Sequence, residues 1–282
     1  MIKVSKKNIE EIVANQMKSY GGTISPEWNI EKQVEENYSE VRAREDWDEI
    51  TKYVSVGKTD KILDLGCGYG FLVTLLRIKG YLAYGCDTDI PSIKIAKELL
   101  KENGHDPKIV VNNNNLRLPY PAENFDFINL NYVLVYVKDR DILFREIKRV
   151  LKKNGKVYLI TPNYQCCYDV NYGLFLFYFL PRRINKFYLR LVGRKNLIFF
   201  DSLNFTTKRN LEKVFKKNNF SFDDIGIKNW LSSFKKPSFS GRSNAYKSLI
   251  NLIKTLHLVK SFQFFAKLGF YTPLIYILKN EH

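Results

Sequence analysis

The sequence has little histidine and little cysteine. Of its 282 residues only His105, His257 and His282 are histidines, and its four cysteines lack the paired spacing that holds zinc. We therefore expect no metal site and a reducing, cytoplasmic compartment. Long apolar runs are also missing, because the longest, residues 173–180, is too short to cross a bilayer. The charged N-terminal residues do not have the apolar core of a secretory signal.

Positive charge is unevenly distributed along the chain, whose net charge is +16. Residues 1–58 carry 9 basic and 11 acidic side chains, and residues 59–170 carry 16 and 13. Residues 171–282 carry 20 basic and 5 acidic side chains, and they also hold 16 of the 20 phenylalanines. Basic and aromatic residues thus coincide in the last part of the chain, which needs an explanation of its own.

Short apolar runs alternate with helical patterns from residue 61 onward, which is typical of repeated βαβ units. The predicted strands are 62–65, 82–86, 108–111, 125–129 and 156–161. The predicted helices between them are 71–79, 90–103 and 140–152. Gly80, Gly104 and Gly155 stand where helix C-terminal caps belong. The predicted fold class is α/β, with a doubly wound, mostly parallel sheet.

Three parts are predicted along the chain. Residues 1–57 are helical in pattern and form an N-terminal helical cap. Residues 58–163 hold the βαβ core, and residues 164–282 combine a basic, helical insertion or cap with the last strands of the sheet. Within this last part we expect an aromatic, basic insertion at 164–200, a helix at 206–218, a strand at 221–227, a basic amphipathic helix or helix pair at 245–268 and a closing strand at 273–279.

A glycine-rich stretch, KILDLGCGYG at 61–70, joins a buried-strand pattern to a helical one. Its glycines let the backbone turn tightly and approach a ligand, and the helix N-terminus that follows offers amide donors to an anionic group. Asp64 precedes Gly66 by two residues. The G-x-G-x-G spacing differs from the G-x-G-x-x-G of dinucleotide enzymes, which need a small residue where Phe71 stands. A nicotinamide or flavin site is therefore disfavoured.

A second acidic residue, Asp87, ends the second predicted strand. A carboxylate at that place can accept hydrogen bonds from both ribose hydroxyls of a nucleoside that lies across the sheet's switch point. Together with the glycine-rich stretch, it predicts a nucleoside cofactor. Asp89 is close by, but its position ahead of Ile90 and Pro91 is typical of a helix N-cap.

Five stretches, in order, resemble the motifs of class I S-adenosylmethionine-dependent methyltransferases, of the subgroup that includes ubiquinone-biosynthesis and small-molecule O-methyltransferases. They are ILDLGCGYG at 62–70, YGCDTDIPSIKIAKE at 84–98, NNLRLP at 114–119, ENFDFINLNYVLVYV at 123–137 and REIKRVLKKNGKVYLITPN at 145–163. The resemblance covers residues 58–163. It implies a Rossmann-like fold with a seven-stranded sheet and S-adenosyl-L-methionine (SAM) as the cofactor.

The resemblance also implies which residues hold the cofactor. Asp87 would bind the ribose, and Asn114 would bind the adenine amino group with an amide where the family usually has an aspartate. Asn131, at the tip of the fourth strand, would lie near the methionine end. The full expected set is Asp64, Gly66, Cys67, Gly68, Gly70, Asp87, Thr88, Asn114, Asn115, Leu116 and Asn131.

A general base is harder to identify in the sequence. Methyl transfer from a sulfonium mainly requires an acceptor held in line and shielded from water, but a neutral oxygen or nitrogen acceptor can also need a base. Related O-methyltransferases often have histidines where this chain has Tyr136 and Ser202. The candidates are therefore Tyr136, Asp139 and Asp201, unless the acceptor is acidic enough to need none or the base comes from the C-terminal part.

The expected reaction is methyl transfer to an oxygen or nitrogen of a small-molecule, lipid or lipid-linked acceptor, bound largely by residues 171–282. The basic, aromatic stretch 172–195 suits peripheral membrane contact, with head groups meeting Arg182, Arg183, Lys186 and Arg190. It suits nucleic acid less well, and it is also what a solvated basic surface over an aromatic core looks like. Two alternatives stay open, an RNA methyltransferase and a catalytically inactive methyltransferase-like module that binds a partner.

Overall fold

The computed structural model describes residues 1–20, 30–115, 117–166, 168–169, 174–194, 197–233, 255 and 257–281. The helices are α1 (Lys6–Tyr20), α2 (Ile30–Asn37), α3 (Glu40–Thr51), α4 (Phe71–Ile78), α5 (Ile90–Glu102), α6 (Arg140–Val150), α7 (Arg182–Leu191), α8 (Ile198–Ser202), α9 (Lys208–Lys217), α10 (Ile225–Ser233) and α11 (Val259–Lys267). The strands are β1 (Lys61–Leu65), β2 (Leu82–Asp87), β3 (Val110–Asn112), β4 (Phe125–Asn131), β5 (Leu151–Thr161), β6 (Tyr168–Asp169), β7 (Leu174–Phe175), β8 (Phe220–Asp224) and β9 (Leu274–Asn280).

Seven strands form one sheet in the order β3-β2-β1-β4-β5-β9-β8. Strands β1 to β5 pair in parallel, and β9 runs antiparallel to both β5 and β8. The chain winds outward from β1 to β3 and then returns to the other side of β1 with β4, so the switch point lies between β1 and β4. The predicted doubly wound, mostly parallel seven-stranded sheet is confirmed.

The central strands are buried on both faces. Ile62 and Phe127 pack into one apolar cluster with residues of α3, α4 and α5. Leu63 and Ile128, their neighbours in the chain, pack into another with residues of α6 and α9. Because successive strand residues point to opposite faces, helices on both sides require the near-continuous apolar runs seen in the sequence. Covering both faces leaves the carboxyl edge of the sheet as the place for a site.

The predicted elements between residues 61 and 161 all occur, and most of their ends shift by no more than two residues. The exception is β5, which begins at Leu151 and not at residue 156 as predicted. β3 begins later than predicted because a 3-10 turn, Pro107–Ile109, precedes it. Gly80 and Gly104 have φ angles of 81° and 75°, and they follow the ends of α4 and α5 as predicted. Left-handed backbone at these two positions is what a C-terminal cap requires.

The predicted cap at Gly155 is wrong. Leu151 follows α6 directly and pairs with Phe125, so Gly155 lies within β5. The left-handed residue of this connection is Asn154, with φ 62°. A Cβ at Gly155 would lie 2.7 Å from Leu151 Cγ, so the glycine is needed for a close approach and not for a helix end.

The last part of the chain completes the sheet and adds a small cluster of its own. The predicted helix at 206–218 is α9, with Thr207 as its N-cap. The two predicted strands are β8 and β9, but residues 225–227, predicted as the end of the first strand, belong to α10. Of the predicted helix at 245–268, α11 occupies the end, and residues 245–254 lie outside the described residues. Leu189 of α7 and Phe200 of α8 are fully buried in a third apolar cluster. In the described ranges no helix combines the length and apolar character that crossing a bilayer requires.

Candidate functional site

A cleft of about 1310 Å³ opens at the carboxyl ends of β1, β2 and β4. Its floor is the connection from β1 to α4. One wall comes from α1 to α3, and the other includes Tyr164, Phe199 and Leu203 from the C-terminal part. Ligands of open α/β sheets bind at this kind of place, outside the carboxyl ends of strands at the switch point. All three predicted parts of the chain therefore meet around one cleft.

The connection from β1 to α4 is a tight turn built on glycines. Gly66, Gly68 and Gly70 have φ angles of 83°, 50° and 76°. Gly66 N donates to Cys86 O at 2.7 Å, and a Cβ at Gly66 would lie 2.1 Å from Val133 Cγ2. Gly70 is the N-cap of α4 and no side chain of the described residues caps it, so this helix N-terminus can donate to a ligand in the cleft.

Asp87 is tied to that turn. Its Oδ2 accepts from Gly68 N at 2.8 Å and its Oδ1 accepts from Asp89 N at 2.9 Å. Each carboxylate oxygen can accept a further hydrogen bond, so the half-buried Asp87 can still receive hydroxyl donors from the cleft. Asp89 caps α5 by accepting from Ser92 N at 2.9 Å, which confirms its predicted place at a helix start.

A buried carboxylate lies below the turn. Asp64 Oδ1 accepts from Asn129 Nδ2 at 2.7 Å, and both side chains line the cleft. Burial, which is the largest cause, and the nearby carboxylates of Asp46 and Asp87 together raise the pKa of Asp64 to about 7, although the hydrogen bond from Asn129 lowers it. Cys67, also buried in the cleft wall, has a thiol whose pKa is raised by the same loss of solvation.

Two residues of α3 that the sequence analysis did not predict also line the cleft. Arg42 and Asp46 form an ion pair at 2.9 Å, and Asn131 Nδ2 donates to Asp46 Oδ2 at 3.4 Å. Burial raises the pKa of Asp46, and the charge of Arg42 opposes it. Asn131 Oδ1 is buried without a hydrogen-bond partner among the described residues. In the sequence this i,i+4 pair looks like any solvated helix face, so only the structure reveals it.

The third predicted motif is displaced by one residue. Asn113 and Asn115 line the cleft, whereas Asn114 is exposed and is not among the residues that line it. Asn113 Nδ2 holds this connection by donating to Asn115 O at 2.7 Å. Thr88 lines the cleft as expected, and Leu116 lies outside the described residues. The adenine contact of Asn114 and the cofactor contact of Leu116 therefore stay predictions.

Comparison with known proteins identifies the core. The family described as a methyltransferase domain matches residues 63–159, which include most of β1, all of β2 to β4 and most of β5. This part of the chain belongs to the methyltransferase domain family.

Curated methyltransferases are similar to part of the chain. Demethylmenaquinone methyltransferase of Anoxybacillus flavithermus is 32% identical over 109 residues, which are 38% of this chain and 46% of the relative. Ubiquinone biosynthesis O-methyltransferase of Haemophilus ducreyi is 33% identical over 109 residues, 36% of this chain and 45% of the relative. The chain thus spans about half the length of the curated relatives it matches.

Solved structures extend the likeness to the whole chain. Geranyl diphosphate C-methyltransferase of Streptomyces coelicolor, in complex with Mg²⁺, geranyl diphosphate and S-adenosyl-L-homocysteine, matches with a TM-score of 0.54 and 17% identity. The match covers 99% of this chain and 100% of that one. At this identity it shows the fold alone, a Rossmann-like methyltransferase fold that includes β8 and β9.

The three candidate bases lie in different surroundings. Tyr136 lines the cleft and is half exposed. Asp139 is the N-cap of α6, where it accepts from Ile142 N at 3.0 Å, and Asp201 pairs with Lys186 at 2.7 Å. Neither aspartate is among the residues that line the cleft, so of the three candidates only Tyr136 lies at the cleft.

Proposed function

We propose that the protein is an S-adenosyl-L-methionine-dependent methyltransferase that acts on a small-molecule acceptor. The observation that supports this most is the position of Asp87, whose carboxylate is fixed against Gly68 N at the mouth of a cleft at the sheet's switch point. The fixed carboxylate is preorganised to accept from a nucleoside's ribose hydroxyls. Its place within a methyltransferase domain makes SAM the cofactor we infer.

The cofactor's parts each have matching groups in the cleft. We place the ribose on Asp87 and the adenine beside Thr88, Asn113 and Asn115. The methionine end of SAM carries an ammonium, a carboxylate and the sulfonium. The polar groups near the tip of β4 include both acidic and basic side chains, which suits these charges. These groups are the carboxylates of Asp64 and Asp46, the guanidinium of Arg42 and the amide of Asn131. When bound, SAM supplies an electrophilic methyl group whose transfer leaves a neutral thioether.

The chain itself would position the acceptor and exclude water. The wall that faces the tip of β4 is largely apolar and aromatic, with Val135, Tyr136, Tyr164, Phe199 and Leu203. Such a wall suits an apolar or amphiphilic molecule, held with an oxygen or nitrogen in line with the methyl group. We therefore propose a lipid or lipid-linked acceptor. An acceptor of this kind is met at a bilayer, so we also propose that the protein works in peripheral contact with a membrane.

Calorimetric titration with SAM and with S-adenosyl-L-homocysteine tests the cofactor site. We expect micromolar binding by the purified full chain. Asp87→Ala should weaken it about 100-fold, since two hydrogen bonds donated to a charged acceptor are worth roughly 3 kcal/mol together. Asp106→Ala is the matched control, because Asp106 also accepts a backbone amide, from Lys108 at 2.9 Å, but lies outside the cleft. Folded protein that binds neither compound, or equal binding by both variants, would contradict the proposal.

A further inference from the structure

Helix α7 turns an apolar stripe toward solvent. Ile184, Phe187 and Leu191 follow one another at spacings of three and four residues, and Phe187 and Leu191 are 62% and 69% exposed. Leu189, on the opposite side of the helix, is fully buried against the third apolar cluster. Phe179, in the turn before α7, is 78% exposed. The inner apolar face of α7 is buried by folding, but its outer apolar face remains exposed to solvent, which is typical of an interaction surface.

Basic side chains border the stripe on the same face. Arg183 and Arg190 are exposed and seven residues apart, so at 100° per residue they lie on one edge of the arc centred on Phe187. The other two basic residues of α7 bind partners in and just after α8. Arg182 donates to the carbonyls of Phe200, Asp201 and Leu203, and Lys186 pairs with Asp201. The outer face thus carries three large apolar side chains and two exposed guanidinium groups.

We propose that this outer face of α7 docks on an anionic bilayer surface. Interfacial helices bury an apolar stripe at the boundary of head groups and acyl chains and place Arg or Lys among anionic head groups. Charge complementarity favours this occupant, since residues 171–282 carry 20 basic and 5 acidic side chains. A second copy that docked through the same face around a twofold axis would bring the arginines of both copies together, which costs free energy.

Helix α11 carries a second face of the same chemistry. Phe264, Phe265 and Leu268 are exposed on it, with the exposed Lys260 and Lys267 nearby. Its C-terminal end is anchored at the carboxyl end of β5, where Asn163 Nδ2 donates to Gly269 O at 2.6 Å. The combination of exposed aromatic rings and cations therefore recurs, and both helices are tied to the carboxyl edge of the sheet.

Docking through α7 would bring the acceptor wall of the cleft close to lipid. α7 is held to α8 through Arg182, and Phe199 and Leu203, within and just after α8, line the cleft. One helix therefore separates the docking face from the apolar wall. This consequence rests on the proposed function, whereas docking itself requires neither cofactor nor acceptor.

Co-sedimentation of the full chain with vesicles tests the docking face. The protein should pellet with vesicles of phosphatidylcholine containing phosphatidylserine and much less with phosphatidylcholine alone. The variant Arg183→Gln/Arg190→Gln should lower the partition coefficient about 25-fold, roughly fivefold for each arginine near an anionic surface. Phe187→Ser/Leu191→Ser should lower it on both kinds of vesicle, because it removes the inserted apolar groups.

Matched controls separate docking from general charge. Lys213→Gln/Lys216→Gln removes the same charge from the exposed face of α9, a fully described helix without large exposed apolar side chains, and should leave partitioning within about twofold. Ile9→Ser removes an exposed apolar residue of α1 and should change nothing. Calorimetry with SAM on each variant reports the cleft independently, so a failure of docking and a failure of the cofactor site are distinguishable.

Several outcomes would overturn the docking proposal. One is absence of vesicle binding by protein that still binds SAM. Another is an equal loss of binding in the α7 and α9 charge variants. A third is a dimer in sedimentation velocity that Phe187→Ser/Leu191→Ser dissociates, because a second copy would then occupy the face. Binding of single-stranded RNA through Arg183 and Arg190, without vesicle binding, would point to nucleic acid instead.

Discussion

At the scale of single residues, the most unusual group of the cleft is the Asp64 carboxylate. It is fully desolvated beside Asn129, with the acidic side chains of Asp46 and Asp87 near it. These surroundings destabilise its charged form. A cation brought into the cleft would reverse that penalty, so the residue suits a cofactor whose methionine end is positively charged.

The raised pKa of Asp64 predicts how stability depends on pH. Between its ordinary value of 3.8 and about 7 the folded state holds a proton that the unfolded state has released. Stability contributed by this group is therefore full below pH 3.8 and falls as pH rises through that window. Urea unfolding across the window should show Asp64→Asn gaining on the wild type by on the order of 4 kcal/mol. A stability difference that stays constant with pH would contradict the assignment.

Gly66 predicts a second residue-scale effect. Gly66→Ala would need a left-handed alanine and would force its Cβ against Val133, so we expect a loss of about 3 kcal/mol in unfolding free energy. Gly104→Ala is the control, since its φ is also positive but no atom lies within 4 Å of the added Cβ. It should cost about 1 kcal/mol.

Adding Val133→Ala to Gly66→Ala separates backbone strain from crowding. The second substitution removes the crowding methyl group, so it should restore part of the stability that the first one loses. Thermal melts of the single and double variants measure this. If Gly66→Ala and Gly104→Ala lose equal stability, the close contact with Val133 is not what makes Gly66 necessary.

At the scale of elements, Arg182 is one of two cationic residues of α7, with Lys186, that hold this helix to α8. Arg182→Ala removes hydrogen bonds to Phe200 O and Asp201 O, at 3.4 and 3.1 Å, and a third to Leu203 O. We expect amides of α7 to exchange about 10-fold faster or more, since hydrogen bonds from a charged donor are worth roughly 1.5–3 kcal/mol. Hydrogen exchange followed by mass spectrometry measures this, with Arg183→Ala as the control on the same helix. Equal exchange in the two variants would contradict the role of Arg182.

The sequence could predict the elements whose signals are local. The turn after β1 was predicted because glycines at alternate positions are typical of a tight backbone turn. The start of α5 was predicted because Asp89 and Pro91 mark a helix N-terminus. Gly155 shows the limit of such signals. A glycine after a helical pattern predicts a cap, yet here the strand begins at Leu151 and the glycine serves a contact inside β5.

The long-range part of the site could not be predicted. Arg42 and Asp46 reach the cleft because α3 packs beside α4, and an amphipathic pattern does not state which element a helix will pack against. The same holds for α7, where the sequence offers four basic residues and only packing assigns two of them to internal partners. Which of the four consecutive asparagines at 112–115 line the cleft likewise depends on the path of the connection.

At the scale of the whole molecule, one cleft is shared by parts with different charge and chemistry. The N-terminal helices contribute charged and polar groups, including Arg42 and Asp46, and the methyltransferase domain contributes the turn and Asp87. The C-terminal part contributes aromatic and apolar walls and also carries most of the excess positive charge. This division suits a cofactor bound on the core side and an apolar acceptor that arrives from the basic, aromatic side.

Methyl transfer from SAM to a lipophilic small molecule is tested most directly by following a labelled methyl group into the acceptor. The purified chain is incubated with SAM that carries a tritiated methyl group and with a total lipid extract, and the organic phase is counted. We predict label in the organic phase with the wild type and Asp106→Ala, and its loss with Asp87→Ala. Wild type that binds SAM yet labels neither lipids nor water-soluble small molecules, or that labels only added RNA, would contradict the account.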